Sequence, residues 1–316
     1  MSYWDDKKGK GILAGTHGNR VKAIKLRDVI SQGIIFPIYS DEKGMFVTNE
    51  KDEKLYVDEG QNVANFLGFK KYEPTIPSSM AGDVLNIGPQ NTIRYDIENL
   101  KKYPDILKEN EEVIVTEKLH GTFCMLGYSK HLNLPDLIYN NMFVASKGLG
   151  AQGLVFKMNE KNLQQNIYTR VASELGLFDK LRNWKSSILK TNTFSNIIVM
   201  GEVFGKGVQD LHYGEQKATF RAFDLYIDGK YVDARIKYKA FEEMGIESVP
   251  ILHQGKYERN LMDDFAKGLT TFGDHNVLEG IVITPLHERE EGTLGRVILK
   301  HINDEYLMRK NGTEYT

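Results

Sequence analysis

In the stretch EEVIVTEKLHGTFCMLGY, residues 111–128, a short apolar run leads straight into a lysine, and the next polar side chain is a histidine beside a glycine. The run predicts a strand, whose side chains alternate between faces: Val113 and Val115 share one, Ile114 and Thr116 the other, and the strand ends at Lys118. Downstream, MFVASK, NIIVMGEVF, TFRAFDLYID, LEGIVITP and GRVILKHI also read as strands. NLQQNIYTRVASELGLFDKL is helical, with Ile167, Val171, Leu175 and Phe178 at helical spacing, and IKYKAFEEMGI is a second helix ending at Gly245. Upstream, RVKAIKLRDV, GIIFPI and GMFVTN are short strands, and NVANFLGF fits one or two helical turns. PTIPSSMAGDVLNIGPQN reads as a connector, and YDIENLKKYPDILKEN as short and helical with a break at Pro104. The pattern predicts an α+β protein. A small β-rich module with its connector fills residues 1–105, and a larger domain with at least six strands fills residues 106–316.

Composition narrows the function classes. The 316 residues are 41% hydrophobic and 27% charged, as in soluble globular proteins. A net charge of −2 supplies no general attraction to polyanions, so any nucleic-acid surface is a local patch. One cysteine, Cys124, excludes an intramolecular disulfide and a cysteine-built zinc site; beside Met125 it reads as core. The start, MSYWDDKKGKG, has no signal-peptide core, and no run approaches the ~18 apolar residues of a membrane span. A cytoplasmic protein, monomeric by default and without membrane contact, is the expectation.

Lys118 ends its strand two residues before His120 and three before Gly121, which permits close approach to the backbone. A lysine acts as a nucleophile when its pKa falls from about 10.4 towards neutrality, about three units or roughly 4 kcal/mol, through burial or a nearby cation. By itself this is an ordinary strand-end lysine. What changes its weight is the order of motifs: EKLHGT, ASKGLG (145–150), GEVFGKGVQDL (201–211), FRAFDLYIDG (220–229), LEGIVITP (278–285) and RVILKHIN (296–303). The series resembles motifs I, Ia, III, IIIa, IV and V of the covalent nucleotidyltransferases, most closely the ATP-dependent RNA ligases. His120, where DNA ligases and capping enzymes usually carry Asp, fits RNA ligases. The stretch after Lys300 is too short for a C-terminal OB domain, and the module that precedes the motifs resembles the subfamily with an N-terminal OB domain that seals nicks in duplexes.

The resemblance implies an OB-like barrel followed by a nucleotidyltransferase domain of antiparallel sheets flanked by helices. It implies that Lys118 attacks ATP to form lysyl-AMP, that AMP passes to an RNA 5′-phosphate, and that a 3′-hydroxyl displaces it, with Mg²⁺ or Mn²⁺ as cofactor. Lys118, His120, Glu202, Glu279 and Lys300 are the implied catalytic residues. Glu117, Gly121, Lys147 and Phe223 join Lys118, Glu202, Glu279 and Lys300 at the nucleotide, and Glu279 and Glu202 face the metal. Phe223 stacks on adenine, and Asp224 orients a basic partner. The K-x-K of motif V lacks its second lysine here, which leaves Arg296 or His301 as substitutes. In the first domain Arg20 and Lys22 share one strand face and Lys25 and Arg27 the other, a candidate track for RNA phosphates. The competing readings are a GTP-dependent capping guanylyltransferase, a DNA ligase, and a non-catalytic RNA-binding protein of the same fold.

Overall fold

The computed structural model describes residues 37–49, 51–69, 83–189, 193–272, 276–292 and 294–309, with the backbone of 4–5, 10–11, 24–26 and 29–31. The chain divides into two compact units, Met1–Pro74 and Thr75–Thr316.

In the first unit β1 (Trp4–Asp5) pairs with β2 (Lys10–Gly11), and β3 (Ile24–Leu26) with β4 (Val29–Ser31), all antiparallel. The run RVKAIKLRDV is therefore not one strand, since Leu26 is paired with Val29. β5 (Tyr39–Asp41), β6 (Gly44–Thr48) and β7 (Lys54–Tyr56) form an antiparallel sheet. Phe46 on β6 is buried between the rings of Tyr39 and Tyr56, 5.7 and 5.8 Å away. These strands agree with a β-rich module; the closed barrel expected there rests partly on residues outside those described. Arg20, Lys22 and Arg27 lie outside them too, and Lys25 is described by its backbone alone.

The second unit begins earlier than the connector suggested. β8 (Val84–Asn86) pairs with β13 (Leu154–Phe156), and β9 (Glu98–Asn99) with β21 (Leu299–Ile302). Residues read as linker thus hydrogen-bond into the large unit, which moves the division to Pro74/Thr75 from the expected 105/106. Two five-stranded sheets dominate this unit. One, in the order β17-β10-β18-β21-β9, contains β10 (Glu112–Glu117), β17 (Ile251–Lys256) and β18 (Gly280–Pro285). The other, β12-β11-β14-β15-β16, contains β11 (Thr122–Ser129), β12 (Met142–Ser146), β14 (Asn196–Phe204), β15 (Thr219–Ile227) and β16 (Lys230–Tyr231). All pairings in both sheets are antiparallel except β21 with β9. β19 (Glu290–Glu291) and β20 (Gly295–Arg296) form a separate hairpin.

Alternation decides which face of the first sheet meets the core. Val113, Val115, Ile281, Ile283 and Leu299 pack with Tyr257 and with Met262 of α6 (Arg259–Phe265). Thr116, Lys118, Val282, Thr284 and Lys300 have the opposite parity and line a cleft instead. The second sheet packs against α3 (Ile167–Glu174), α4 (Leu177–Arg182) and α5 (Ala234–Met244). α5 ends at Gly245, as the pattern predicts. The long helix expected over 162–181 is instead three: α2 (Glu160–Gln165), α3 and α4. Asn166 accepts from the N–H groups of Tyr168 and Thr169 and starts a new helix, and Gly176 adopts a left-handed conformation. The apolar spacing survives the breaks, with Val171 and Phe178 buried.

Candidate active site

The site forms where β10 ends. Glu117 is in register with Ile281, and the Lys118 N–H donates to the Gly280 carbonyl at 2.9 Å, so Glu279 emerges beside Lys118. Gly280 makes that possible: φ is +153°, and a Cβ would lie 2.3 Å from the His301 carbonyl oxygen. Lys118 Nζ donates to Glu279 Oε1 at 2.5 Å, which ties the amine to this carboxylate. The other carboxylate oxygen, Oε2, is buried and has no hydrogen-bond partner among the described residues. An orphaned anionic oxygen in such a place is costly unless a cation or its water takes it.

Glu202 enters from the second sheet, paired across β11 with Phe123. Burial pushes its carboxyl up to about 8, with Glu279 adding to the rise, while the Lys118 cation and the Gly121 N–H pull it down. The folded value lies above the unfolded one, so this group favours the fold at low pH and the contribution disappears as pH rises through about 8. The unliganded protein should therefore lose thermal stability between pH 5 and 8.5, and Glu202→Gln should flatten that slope, as scanning calorimetry would show. Lys300, on the cleft face of β21, is lowered by burial and by the Lys118 and Lys147 cations. Lys147 starts α1 (Lys147–Gly150), a one-turn helix where a glycine-rich turn was expected, and pairs with Asp96 at 2.8 Å.

Two cavities meet at Lys118. One, of about 320 Å³, runs beneath the aromatic rings of Tyr95, Phe123 and Phe223; the other, of about 500 Å³, is lined by Glu202, Glu279, His120 and Gln209. Lys118, Lys147, Glu202 and Lys300 border both. The first has the chemistry to take a flat base and the second to take phosphates. Phe223 stands in the wall of the first cavity as one of three rings. Tyr95 lies 5.4 Å from Phe123 and 5.6 Å from Phe223, and those two are 5.9 Å apart. Sequence reasoning missed Tyr95 and Phe123.

Asp224, next to Phe223, anchors the platform. Its buried carboxylate accepts from the Tyr95 hydroxyl at 2.8 Å, from Lys237 Nζ at 3.0 Å and from the Arg296 guanidinium at 2.5 Å. Burial pushes the Asp224 carboxyl up, but Lys237 and Arg296 outweigh it and hold the group well below the usual carboxylate range. The expected basic partner of Asp224 is thus present twice. Asp224→Ala leaves the buried Lys237 without its anion and Arg296 with Glu288 alone, and a loss of about 3–5 kcal/mol in urea unfolding is the expected result.

Other expected site residues are engaged within the protein. Arg296 is committed to Asp224 and Glu288, and His301, on the opposite strand face from Lys300, pairs with Asp263 at 2.9 Å. Neither is among the residues that line the two cavities. His120 is buried and held by neighbouring polar groups. Its Nε2 is 2.7 Å from Asp210 and its Nδ1 2.7 Å from the Tyr306 hydroxyl, while its N–H donates to the Tyr213 hydroxyl at 2.7 Å. Glu117 borders the base cavity, yet its carboxylate accepts from Thr270 Oγ1 and from the N–H and hydroxyl of Thr271. Gly121 makes room for the protein itself: a Cβ there would sit 2.3 Å from the Val203 carbonyl oxygen and 2.9 Å from Glu202 Cγ.

The fold has relatives among solved structures. Naegleria gruberi RNA ligase with PPi is 20% identical, over 92% of this chain and 76% of that one, with a TM-score of 0.54. A mutant of it with AMP and Mn (19% identical, TM-score 0.54) and another with ATP and Mn (18%, 0.53) cover the same shares. Identities this low establish the fold alone. No curated protein matches the chain. The RNA ligase family model matches residues 111–302, a span that begins at β10 and ends with β21 and takes in Lys118, Glu202, Glu279 and Lys300. With more than half of its residues inside that match, this chain belongs to the RNA ligase family.

Proposed function

We propose that the protein is an ATP-dependent RNA ligase that joins RNA 3′-hydroxyl and 5′-phosphate ends at nicks in duplexes. The observation that carries the reading is the convergence of Lys118, Glu279, Glu202 and Lys300 at the mouth of an aromatic-walled cavity. The Naegleria gruberi structures with ATP, AMP, PPi and Mn support it by shared fold.

In the first step the Lys118 amine attacks the α-phosphorus of ATP; a P–N bond forms, the P–O bond to the β-phosphate breaks, and pyrophosphate leaves. Glu279 Oε1, 2.5 Å from Nζ, is the nearest base for the amine proton. Lys300 and Lys147 supply positive charge where the phosphate gains negative charge. In the second step an RNA 5′-phosphate oxygen displaces Lys118 from AMP, and in the third the RNA 3′-hydroxyl displaces AMP. Glu279 Oε2 and Glu202 would hold the metal; two carboxylates suit Mg²⁺ or Mn²⁺, which keep waters and take phosphate oxygens as further ligands. The metal supplies charge neutralisation on the phosphates.

The first unit contributes RNA contacts through Arg20, Lys22, Lys25 and Arg27. Replacing all four by Ala should lower the slope of log affinity against log salt by up to ~0.9 per lost duplex contact, read by fluorescence anisotropy, with self-adenylation unchanged. The ligase reading itself is tested with α-labelled ATP and Mn²⁺. Label that survives a denaturing gel, and passes to nicked RNA on chase, supports it; a folded protein that takes no label refutes it.

A further inference from the structure

A third cavity of about 520 Å³ opens beside the phosphate cavity and shares Thr122 and Gln209 with it. Its other polar walls are Gln165, Asn166, Tyr168 and Arg170, from the end of α2 and the start of α3. We propose that this side cleft binds one ribose–phosphate unit of the RNA strand next to the joint, with Arg170 on the phosphate and the amides and hydroxyls on the 2′-hydroxyl. The inference rests on the ligase reading and adds the subsite that reads RNA.

Three features point to sugar and phosphate over a base or an apolar ligand. The only apolar side chains in the lining are Ile167 and Val208, so little hydrophobic surface is offered. One face of Tyr168 is stacked on Phe156, with centroids 5.4 Å apart and planes at 15°, which fixes the ring and sets its hydroxyl edge at the cleft. That hydroxyl shares a 2.7 Å hydrogen bond with Thr122 Oγ1, at the boundary between the two cavities. Arg170 is the one cation among the described residues of the lining, enough for a single phosphate. Its contact to Glu174 is 4.0 Å long and half-exposed, a weak pair that an incoming phosphate can replace. The position also fits: Thr122 and Gly121 border the phosphate cavity beside Glu202, so a strand leaving the reaction centre on that side enters the cleft at once.

The test uses the full-length protein with Arg170→Ala, Arg170→Lys and Tyr168→Phe variants, each first checked for unaltered melting temperature and self-adenylation. Sealing is measured on nicked duplexes that carry a single 2′-deoxy nucleotide on either the 5′-phosphate or the 3′-hydroxyl side. Arg170→Ala should raise the half-saturating RNA concentration about tenfold, as expected for a lost charge-assisted hydrogen bond. It should also flatten the log–log salt slope by roughly 0.7–0.9, and Arg170→Lys should restore the slope. The unaltered protein should disfavour the 2′-deoxy nucleotide on one side by about two- to tenfold, and Tyr168→Phe should shrink that preference. The side affected identifies the strand that occupies the cleft. Normal self-adenylation with an unchanged salt slope, half-saturation and 2′-deoxy preference in the Arg170→Ala and Tyr168→Phe variants would overturn the assignment. Failure of the unaltered protein to self-adenylate would overturn the ligase reading instead.

Discussion

Lys118→Arg protein, folded and melting like its parent, should take no label from α-labelled ATP, a loss of at least about 10³-fold. Arginine keeps the positive charge opposite Glu279 and so preserves the ion pair at the mouth of the two cavities. It cannot lose a proton in a protein and so cannot attack phosphorus. A purely structural Lys118 would tolerate the exchange, with adenylation little changed. The substitution separates charge from nucleophilicity, which Lys118→Ala cannot do.

Glu279→Gln should cost about 10–100-fold in self-adenylation and raise the metal concentration needed for half-maximal rate, in line with lost metal-site ligands elsewhere. The amide is nearly the same size, so packing around the buried residue changes little. What disappears is the acceptor for the Lys118 proton at Oε1 and the buried anionic oxygen Oε2. Metal titrations of the self-adenylation rate check both parts. An unchanged half-maximal metal concentration with a full rate would show that Glu279 serves only to hold Lys118 in place.

How far the sequence revealed the site depended on period and reach. β10 was legible because alternation is local: Val113 and Val115 face the core, and the opposite parity brings Thr116 and Lys118 to the cleft. The same rule tells against His301 as a stand-in for a motif V lysine, because it directly follows Lys300 on a strand and must point the other way. Arg296 has the right parity, but it belongs to the β19–β20 hairpin, and its draw towards Asp224 is a long-range contact that no spacing encodes. Tyr95 was hidden for a similar reason. It sits in an irregular segment rich in turn residues, and only tertiary packing brings it to Phe123 and Phe223. The division of helix 162–181 turned on side-chain capping by Asn166, which its apolar spacing does not report. The commitment of Glu117 to Thr270 and Thr271 joins residues more than 150 positions apart in the chain.

Intact-mass spectrometry after incubation with ATP and Mn²⁺, followed by peptide mapping and a chase with nicked duplex RNA, decides whether Lys118 carries AMP on the way to a sealed nick. One AMP per chain should appear, bound through nitrogen to the peptide that carries Lys118, and should be lost on chase as the nick closes. A folded protein that gains no AMP, or gains it on another residue while still sealing RNA, would contradict that role of Lys118.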